Sequence, residues 1–327
     1  MAKVLVTGAT GFIGRFLVSH LLKQSVSVRI LVRNHLRDDF PATVQQFIGD
    51  LAEPNGLIDA MKGIDIVFHL AGYAHAWKDN QESAAKHHQT NLIGTKNCLE
   101  ASVLVGVKKF IFFSTIKAVG DSDHCIDEKW NAPPDTPYGK AKRAAEAQML
   151  ENALANDMHV CVLRLALVYG PHLKGNLYQM LRAIDKGYFL PVPPVKNHHS
   201  LISVYDVCQA AWLAANCEVA NGKIYFLAEQ KSYSTYQIYS LMRKALGYST
   251  PTWSIPLWVF RQLAMIGDHA ERLIKSRLPF NSQAYHKLFG SSYCSANAIQ
   301  HELGFCTQYA LADLLPQIIT TYRAGKT

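Results

Sequence analysis

The sequence predicts an α/β protein: a doubly wound parallel sheet followed by a smaller, mainly helical C-terminal domain. Three observations predict it. Short apolar runs alternate with helix-spaced segments as far as residue 168, a glycine-rich turn follows the first of those runs, and beyond Gly170-Pro171 the alternation gives way to an aromatic, helical pattern. Strands that read as continuous apolar runs are buried on both faces, and helices covering both faces are the mark of a parallel sheet.

Residues 4–7 form a short apolar run, and 12–23 carry apolar residues at helical spacing. Residues 26–32 are β-branched and apolar, 44–48 make a short strand, and 64–70 make another apolar run. A long helix is predicted over 84–105, a buried strand over 108–114, a helix over 138–156 and a strand over 160–168. Pro191, Pro193 and Pro194 then break the pattern. The expected boundaries are 1–170 for the sheet domain, with returns to it at 200–216 and 223–228, and 171–327 for the helical domain; strands are expected at 200–204 and 223–227. Segment 253–274, apolar with Arg261 and Arg272 and followed by Lys275, reads as a core helix of that second domain, with a membrane-surface helix as the alternative.

Composition narrows the class. Hydrophobic residues are 49% and charged residues 18% of 327, which excludes a disordered chain. No run of 18 apolar residues exists, so no spanning helix is predicted. Met-Ala-Lys leads straight into the first strand, so no export signal is read and a cytoplasmic location is expected. The net charge of +8 favours anionic partners, but the basic residues are dispersed, which argues for a phosphate-bearing small molecule over nucleic acid. The seven cysteines include no C-x-x-C pair and read as reduced thiols. Neither His87-His88, His198-His199 nor His301-Glu302 has metal-ligand spacing, and no metal site is predicted.

The turn is Thr7-Gly8-Ala9-Thr10-Gly11-Phe12-Ile13-Gly14. Gly8 permits the tight bend, Gly11 lets backbone N–H groups approach a pyrophosphate, and Gly14 allows close helix–sheet packing. Thr10, Phe12 and Ile13 complete a helix N-terminus that stabilises an anion. These residues point to a dinucleotide. An Asp closing the second strand would bond the adenosine ribose, but Val32 closes it and Arg33 follows. A guanidinium there would hold a 2′-phosphate, so NADP(H) is favoured over NAD(H). Asp50, after the third strand, is placed to bond the adenine amine.

Tyr138 and Lys142 are four residues apart and share a helix face. A free phenol has a pKa near 10, and a neighbouring ammonium is expected to lower it, making the pair a general acid or base at a carbinol or carbonyl oxygen. Lys142 would also bond the cofactor ribose. Ser114 and Thr115 end the predicted strand at 108–114, where a hydroxyl faces the ligand crevice of such a sheet and would hold the substrate oxygen.

Taken together, these residues resemble the extended short-chain dehydrogenases/reductases of the nucleotide-sugar epimerase/dehydratase family. The likeness runs through the turn at 8–14, Asp50-Leu51, His69-Leu70-Ala71-Gly72, Asn91 with Gly94-Thr95, Phe113-Ser114-Thr115, Pro137-Tyr138-Gly139 with Lys142, and Val168-Tyr169-Gly170-Pro171. It implies a Thr115/Tyr138/Lys142 triad, cofactor contacts at the turn, Asp50, Leu51, Ala71 and Gly72, and homodimers through the helices around 91–105 and 139–156. Gly175-Asn176-Leu177, Leu190-Pro191-Val192-Pro193 and residues 199–206 resemble a subgroup acting on surface polysaccharide precursors, with Asn176 at the substrate diphosphate and His199 where the family carries an arginine clamp. Three departures stand out. A histidine replaces that arginine, Arg277-Leu278-Pro279-Phe280 does not match the family's late Arg-Pro-Gly-Asp segment, and Val119 replaces a common tyrosine, so one wall of the site is expected to be apolar. Residues 256–266 are also similar to membrane-associated sterol dehydrogenases of the same superfamily.

The resemblance implies an NAD(P)H-dependent 4-keto reductase of a nucleotide sugar, most plainly a UDP-sugar. The alternatives are a UDP-hexose 4-epimerase with tightly bound NAD and a dehydrogenase of a sterol or lipid alcohol. The presence of both Tyr138 and Lys142 argues against a cofactor sensor with a dead site.

Overall fold

The computed structural model describes residues 1–36, 39–73, 81–274, 278 and 280–325. Seven parallel strands form the main sheet: β1 (Ala2–Thr7), β2 (Val26–Val32), β3 (Gln45–Ile48), β4 (Ile66–His69), β5 (Lys109–Thr115), β6 (His159–Leu165) and β9 (Lys223–Leu227), in the order β3-β2-β1-β4-β5-β6-β9. The order reverses between β1 and β4, which pair through Val4↔Ile66 to Thr7↔His69. At such a reversal the connections leave in opposite directions and open a crevice beyond the strand C-termini.

Strand alternation divides the core. Val4, Val6, Phe68, Ile111, Phe113 and Leu163 face one layer, made by α1 (Phe12–Leu21), α7 (Val204–Asn216) and α11 (Asn297–Leu303). Leu5, Val67, Phe110, Phe112, Val160 and Val162 face the other, made by α2 (Pro54–Met61), α4 (Gly94–Leu104) and α5 (Pro137–Asn156). Ala210, Ala211, Ala214 and Ala215 keep α7 close to the sheet.

The strand expected at 200–204 does not join this sheet. The free edge of β6 is taken by β9 from Cys161↔Lys223 to Leu165↔Leu227. Ala166 bonds Leu227 and ends that pairing, so β7 (Leu167–Tyr169) leaves the sheet. β8 (His199–Ser203) then pairs β7 in parallel and β10 (Ser232–Tyr233) in antiparallel fashion. α7 and β9 do return to the main layers. So do Ile299, Leu303 and Phe305, late returns that the division at 170 does not foresee.

A third core joins this small sheet to α6 (Gly175–Asp185), α8 (Thr235–Leu246) and α12 (Leu311–Ala324), through Tyr169, Leu177, Leu181, Tyr239 and Ile318. Against it lie α9 (Leu257–Ile274) and α10 (Ser282–Phe289). The segment read as a core helix is core on one face only: Phe260 and Ala264 are buried, while Trp258, Ile266 and Leu273 are exposed. Lys275, Arg277 and Pro279 lie outside the described residues. Among the described residues no helix is long and apolar enough to cross a membrane. The predicted helix at 84–105 is α3 (Gln81–His87), a π turn at His88–Ile93, and then α4.

Candidate active site

The glycine turn closes β1 and opens α1. Gly8 has φ +71°, and a β-carbon on it would sit 2.6 Å from the Ala71 nitrogen, so the turn lies directly against the end of β4. A β-carbon on Gly14 would come within 2.7 Å of Ala9 Cα and overlap the Gly8 carbonyl. Gly11 is the N-cap of α1, with no side-chain cap and no acidic residue in the first turn. Its backbone therefore offers bare N–H groups with no carboxylate to repel an anion, and it fits a dinucleotide pyrophosphate.

Beneath the turn a buried chain of hydrogen bonds fixes the two strand ends. Thr7 Oγ1 accepts from the Ala71 nitrogen (3.2 Å) and meets His69 Nδ1 at 2.8 Å; His69 Nε2 meets Thr95 Oγ1 at 3.0 Å. Burial drives the His69 pKa down to about 3, with the Lys142 charge adding to the effect, so the ring is neutral and links two hydroxyls. Asn91, in the π turn, accepts from the Tyr73 nitrogen (2.7 Å) and donates to its carbonyl (2.9 Å), filling the space a side chain at Gly72 would need. A π turn inside a helix re-aims one residue, and here that residue fastens the loop after β4.

α5 is started by the Thr136 side chain, which accepts from the Gly139 nitrogen at 3.1 Å, and by Pro137. Gly139 lets the helix press on the Lys117 carbonyl. Tyr138, Lys142 and Glu146 then fall on one face. Tyr138 is half-buried and bonded to the Thr115 side chain. Burial pushes its pKa up to about 12, opposed by the Thr115 bond. The expected lowering by Lys142 is absent for a geometric reason. Lys142 is buried, with Nζ donating to the Phe113 carbonyl at 2.6 Å and lying 4.2 Å from the centroid of the Phe112 ring. Burial holds its own pKa down at about 7, opposed by the Glu146 carboxylate.

Glu146 and its partner Arg164 were not singled out from the sequence. Each side chain is 2% exposed; Arg164 donates to Glu146 through Nη2 (2.7 Å) and Nε (3.1 Å). Glu146 also accepts from Ser114 Oγ at 2.5 Å. This corrects the expectation for Ser114: its hydroxyl is committed to the buried carboxylate, because successive strand residues face opposite ways and Thr115 takes the side of Tyr138. The legible signals were the Tyr-x₃-Lys-x₃-Glu spacing and a lone arginine inside an apolar strand.

The other expected residues divide between the two lobes. Arg33 is exposed where β2 ends, next to buried Val32. Asp50 is exposed and accepts from the Ala52 nitrogen at 2.9 Å, while the buried Leu51 gives its carbonyl to Asn97. Asn176 is exposed in the first turn of α6. His199 departs from the expected anion partner: Nε2 lies 3.0 Å from Asn197 Nδ2 and 3.2 Å from Thr235 Oγ1, and burial first of all lowers its pKa, keeping the ring neutral. Val119 is buried in the first core and does not supply an apolar wall. Among the described residues no cluster of three or more potential ligands could hold a metal ion.

A crevice at a strand-order reversal, a glycine cradle shaped for a pyrophosphate and a Thr/Tyr/Lys group beside it define an enzyme of the nicotinamide-dependent oxidoreductase and epimerase class. The model of the NAD dependent epimerase/dehydratase family matches residues 4–228, and the chain belongs to that family. It is 29% identical over 266 residues to a UDP-glucose 4-epimerase of Vibrio cholerae, covering 79% of this chain and 80% of that one. It is 24% identical over 323 residues to an N-acetyl-α-D-glucosaminyl-diphospho-ditrans,octacis-undecaprenol 4-epimerase of Escherichia coli O157:H7, covering 97% and 94%. The fold is shared with MoeE5, solved with UDP-glucose and NAD, at a TM-score of 0.79 and 23% identity over the whole of both chains.

Proposed function

We propose that the protein is an NADPH-dependent 4-keto reductase acting on a diphosphate-linked sugar, a precursor of surface polysaccharide. One observation carries the reading: Arg33 stands exposed directly after β2, where a carboxylate would bond the ribose of a tightly held NAD, and so favours an exchangeable NADPH. Tyr138, bonded to Thr115 and kept protonated by burial, can give its proton to a carbonyl oxygen. Tyr138 is the proton donor, and Thr115 holds the same oxygen by a second hydrogen bond. Lys142, with Nζ on the Phe113 carbonyl, fixes α5 and so Tyr138 against the end of β5. The turn at 8–14, Asp50, Leu51, Ala71, Gly72 and Lys142 would hold the nicotinamide dinucleotide, which when bound supplies the hydride. Arg33 would take the 2′-phosphate.

The second reading is a 4-epimerase on the same triad, favoured by the activities named for the two relatives. Those relatives also set the assay panel: UDP-hexoses and a polyprenyl-diphosphate N-acetylhexosamine, each with its 4-keto form. The deciding experiment is to denature the purified protein, identify any released nucleotide, and titrate the empty protein with NADPH and NADH. The reductase should be isolated empty and bind NADPH roughly 10- to 100-fold more tightly, the worth of a charge-assisted guanidinium–phosphate contact. Arg33→Asp should reverse that order. Stoichiometric NAD carried through purification would select the epimerase.

A further inference from the structure

We propose that the outer face of α9 is a docking surface for an anionic lipid bilayer, on which the helix lies parallel to the membrane plane. α9 has 18 residues and is about 27 Å long. Its inner face is fully used. Phe260 packs on Phe280 and Phe289, with ring centroids 6.1 and 5.0 Å apart, and Gly267 lets the helix touch the Phe280 carbonyl. Both of its carboxylates are also spent on the α10 side. Asp268 accepts from the Ser282 nitrogen (3.1 Å) and hydroxyl (2.5 Å), and Glu271 accepts from the Leu278 nitrogen (2.7 Å) and Asn281 Nδ2 (3.0 Å).

The outer face is the opposite in character. Trp258, Gln262, Met265, Ile266, His269 and Leu273 recur at helical spacing along one side, and all but Trp258 line a shallow groove. Trp258 is 67%, Ile266 63% and Leu273 83% exposed, and Trp253, ahead of the helix in the chain, is exposed as well. Contiguous apolar surface of this kind marks a contact with something other than water. The flank carries Arg261 and Arg272, both exposed, and the carboxylate beside Arg272, that of Asp268, is held by the Ser282 nitrogen and hydroxyl. This combination suits a bilayer interface: indole at the headgroup level, aliphatic side chains in the acyl boundary, and guanidinium groups on lipid phosphates. A second copy of the chain fits less well. Two-fold antiparallel pairing of α9 centred between Ile266 and Gly267 would set Arg261 against Arg272, like charge on like.

The helix on which α9 packs is itself anchored. Asn197 Nδ2 donates to the Leu288 and Gly290 carbonyls, each at 3.1 Å, tying the C-terminal end of α10 to the segment that leads into β8.

The test is co-sedimentation of the full-length protein with vesicles of phosphatidylcholine alone and with about 30% phosphatidylglycerol. Wild type should partition to the anionic vesicles with a blue shift in tryptophan emission. Met265→Glu/Ile266→Glu should reduce partitioning roughly tenfold or more. Arg261→Gln/Arg272→Gln should remove the preference for anionic over neutral vesicles. Circular dichroism and NADPH affinity, unchanged in both variants, would show that the fold and the cofactor site are intact, so the result is independent of the reaction proposed above. Absence of wild-type binding, or equal binding by the glutamate variant, would overturn the proposal. So would a dimer in solution that Met265→Glu/Ile266→Glu dissociates without any effect on vesicles.

Discussion

Replacing Glu146 by Gln tests how the site is held from behind. The carboxylate is buried between three partners: Arg164 through two nitrogens, the Ser114 hydroxyl, and the charge of Lys142 one helical turn away. Gln keeps the shape and can still accept one bond, but Arg164 becomes a buried cation without its counter-charge. Removing one partner of a buried pair costs about 3–5 kcal/mol. At the lower figure, with roughly 2–4 °C per kcal/mol for a chain of this order, Tm should fall by roughly 6–12 °C. A structural role alone would end there. Glu146 also raises the Lys142 pKa, so its loss should move the Lys142-dependent limb of the kcat/KM profile to lower pH. The pair variant Glu146→Leu/Arg164→Met, which removes both charges, should recover most of the stability, since a buried ion pair is worth little against apolar residues of similar volume. The assays are thermal unfolding followed by circular dichroism and pH–rate profiles on the same samples. A Tm within about 1 °C of wild type with an unmoved limb would refute the reasoning.

Three further outcomes are expected. Tyr138→Phe should lower kcat by about 10²–10⁴ while leaving the NADPH Kd nearly unchanged; turnover at the wild-type rate would remove Tyr138 from the chemistry. Gly14→Ala should lower both Tm and NADPH affinity, by about 1–3 kcal/mol in stability, because its β-carbon meets the backbone of the turn; wild-type values by unfolding and fluorescence titration would show that the turn can yield. Lys142 binds its proton more weakly when folded, at about 7 against an ordinary 10.5, so between those values the unfolded chain holds a proton that the folded chain lacks and stability rises with pH. Lys142→Met should flatten that rise by about one proton in denaturant titrations, and an unchanged slope would show that Lys142 does not titrate there.

Much of the fold is legible because its signals are local. Strands buried on both faces must be apolar throughout, and the turn at 8–14 needs glycine where backbone meets backbone, so the parallel sheet and its cradle are written in residue types alone. Tyr138 and Lys142 are legible for the same reason, since one helix sets their spacing whatever surrounds it.

What the sequence left undecided depends on which neighbour a segment meets. β8 has the pattern of a sheet strand, but the edge it would join belongs to β9, which comes later in the chain. Ser114 and Thr115 are both strand-end hydroxyls; the family likeness points to Thr115, and the position of Glu146 shows where the Ser114 hydroxyl goes instead. The Tyr/Lys spacing suggests a lowered phenol pKa. The burial of both side chains and the Phe113 carbonyl decide otherwise, because in a desolvated site the environment outweighs sequence proximity. α9 is apolar on two sides, and periodicity cannot say which of them the protein covers; Phe280 and Phe289 cover one, leaving Trp258 and Ile266 outside. The sequence by itself determined the sheet, the cradle and the reactive pair through short-range constraint. The tertiary structure alone decided charge state, side-chain commitment and exposed face, because these are set by residues far away along the chain.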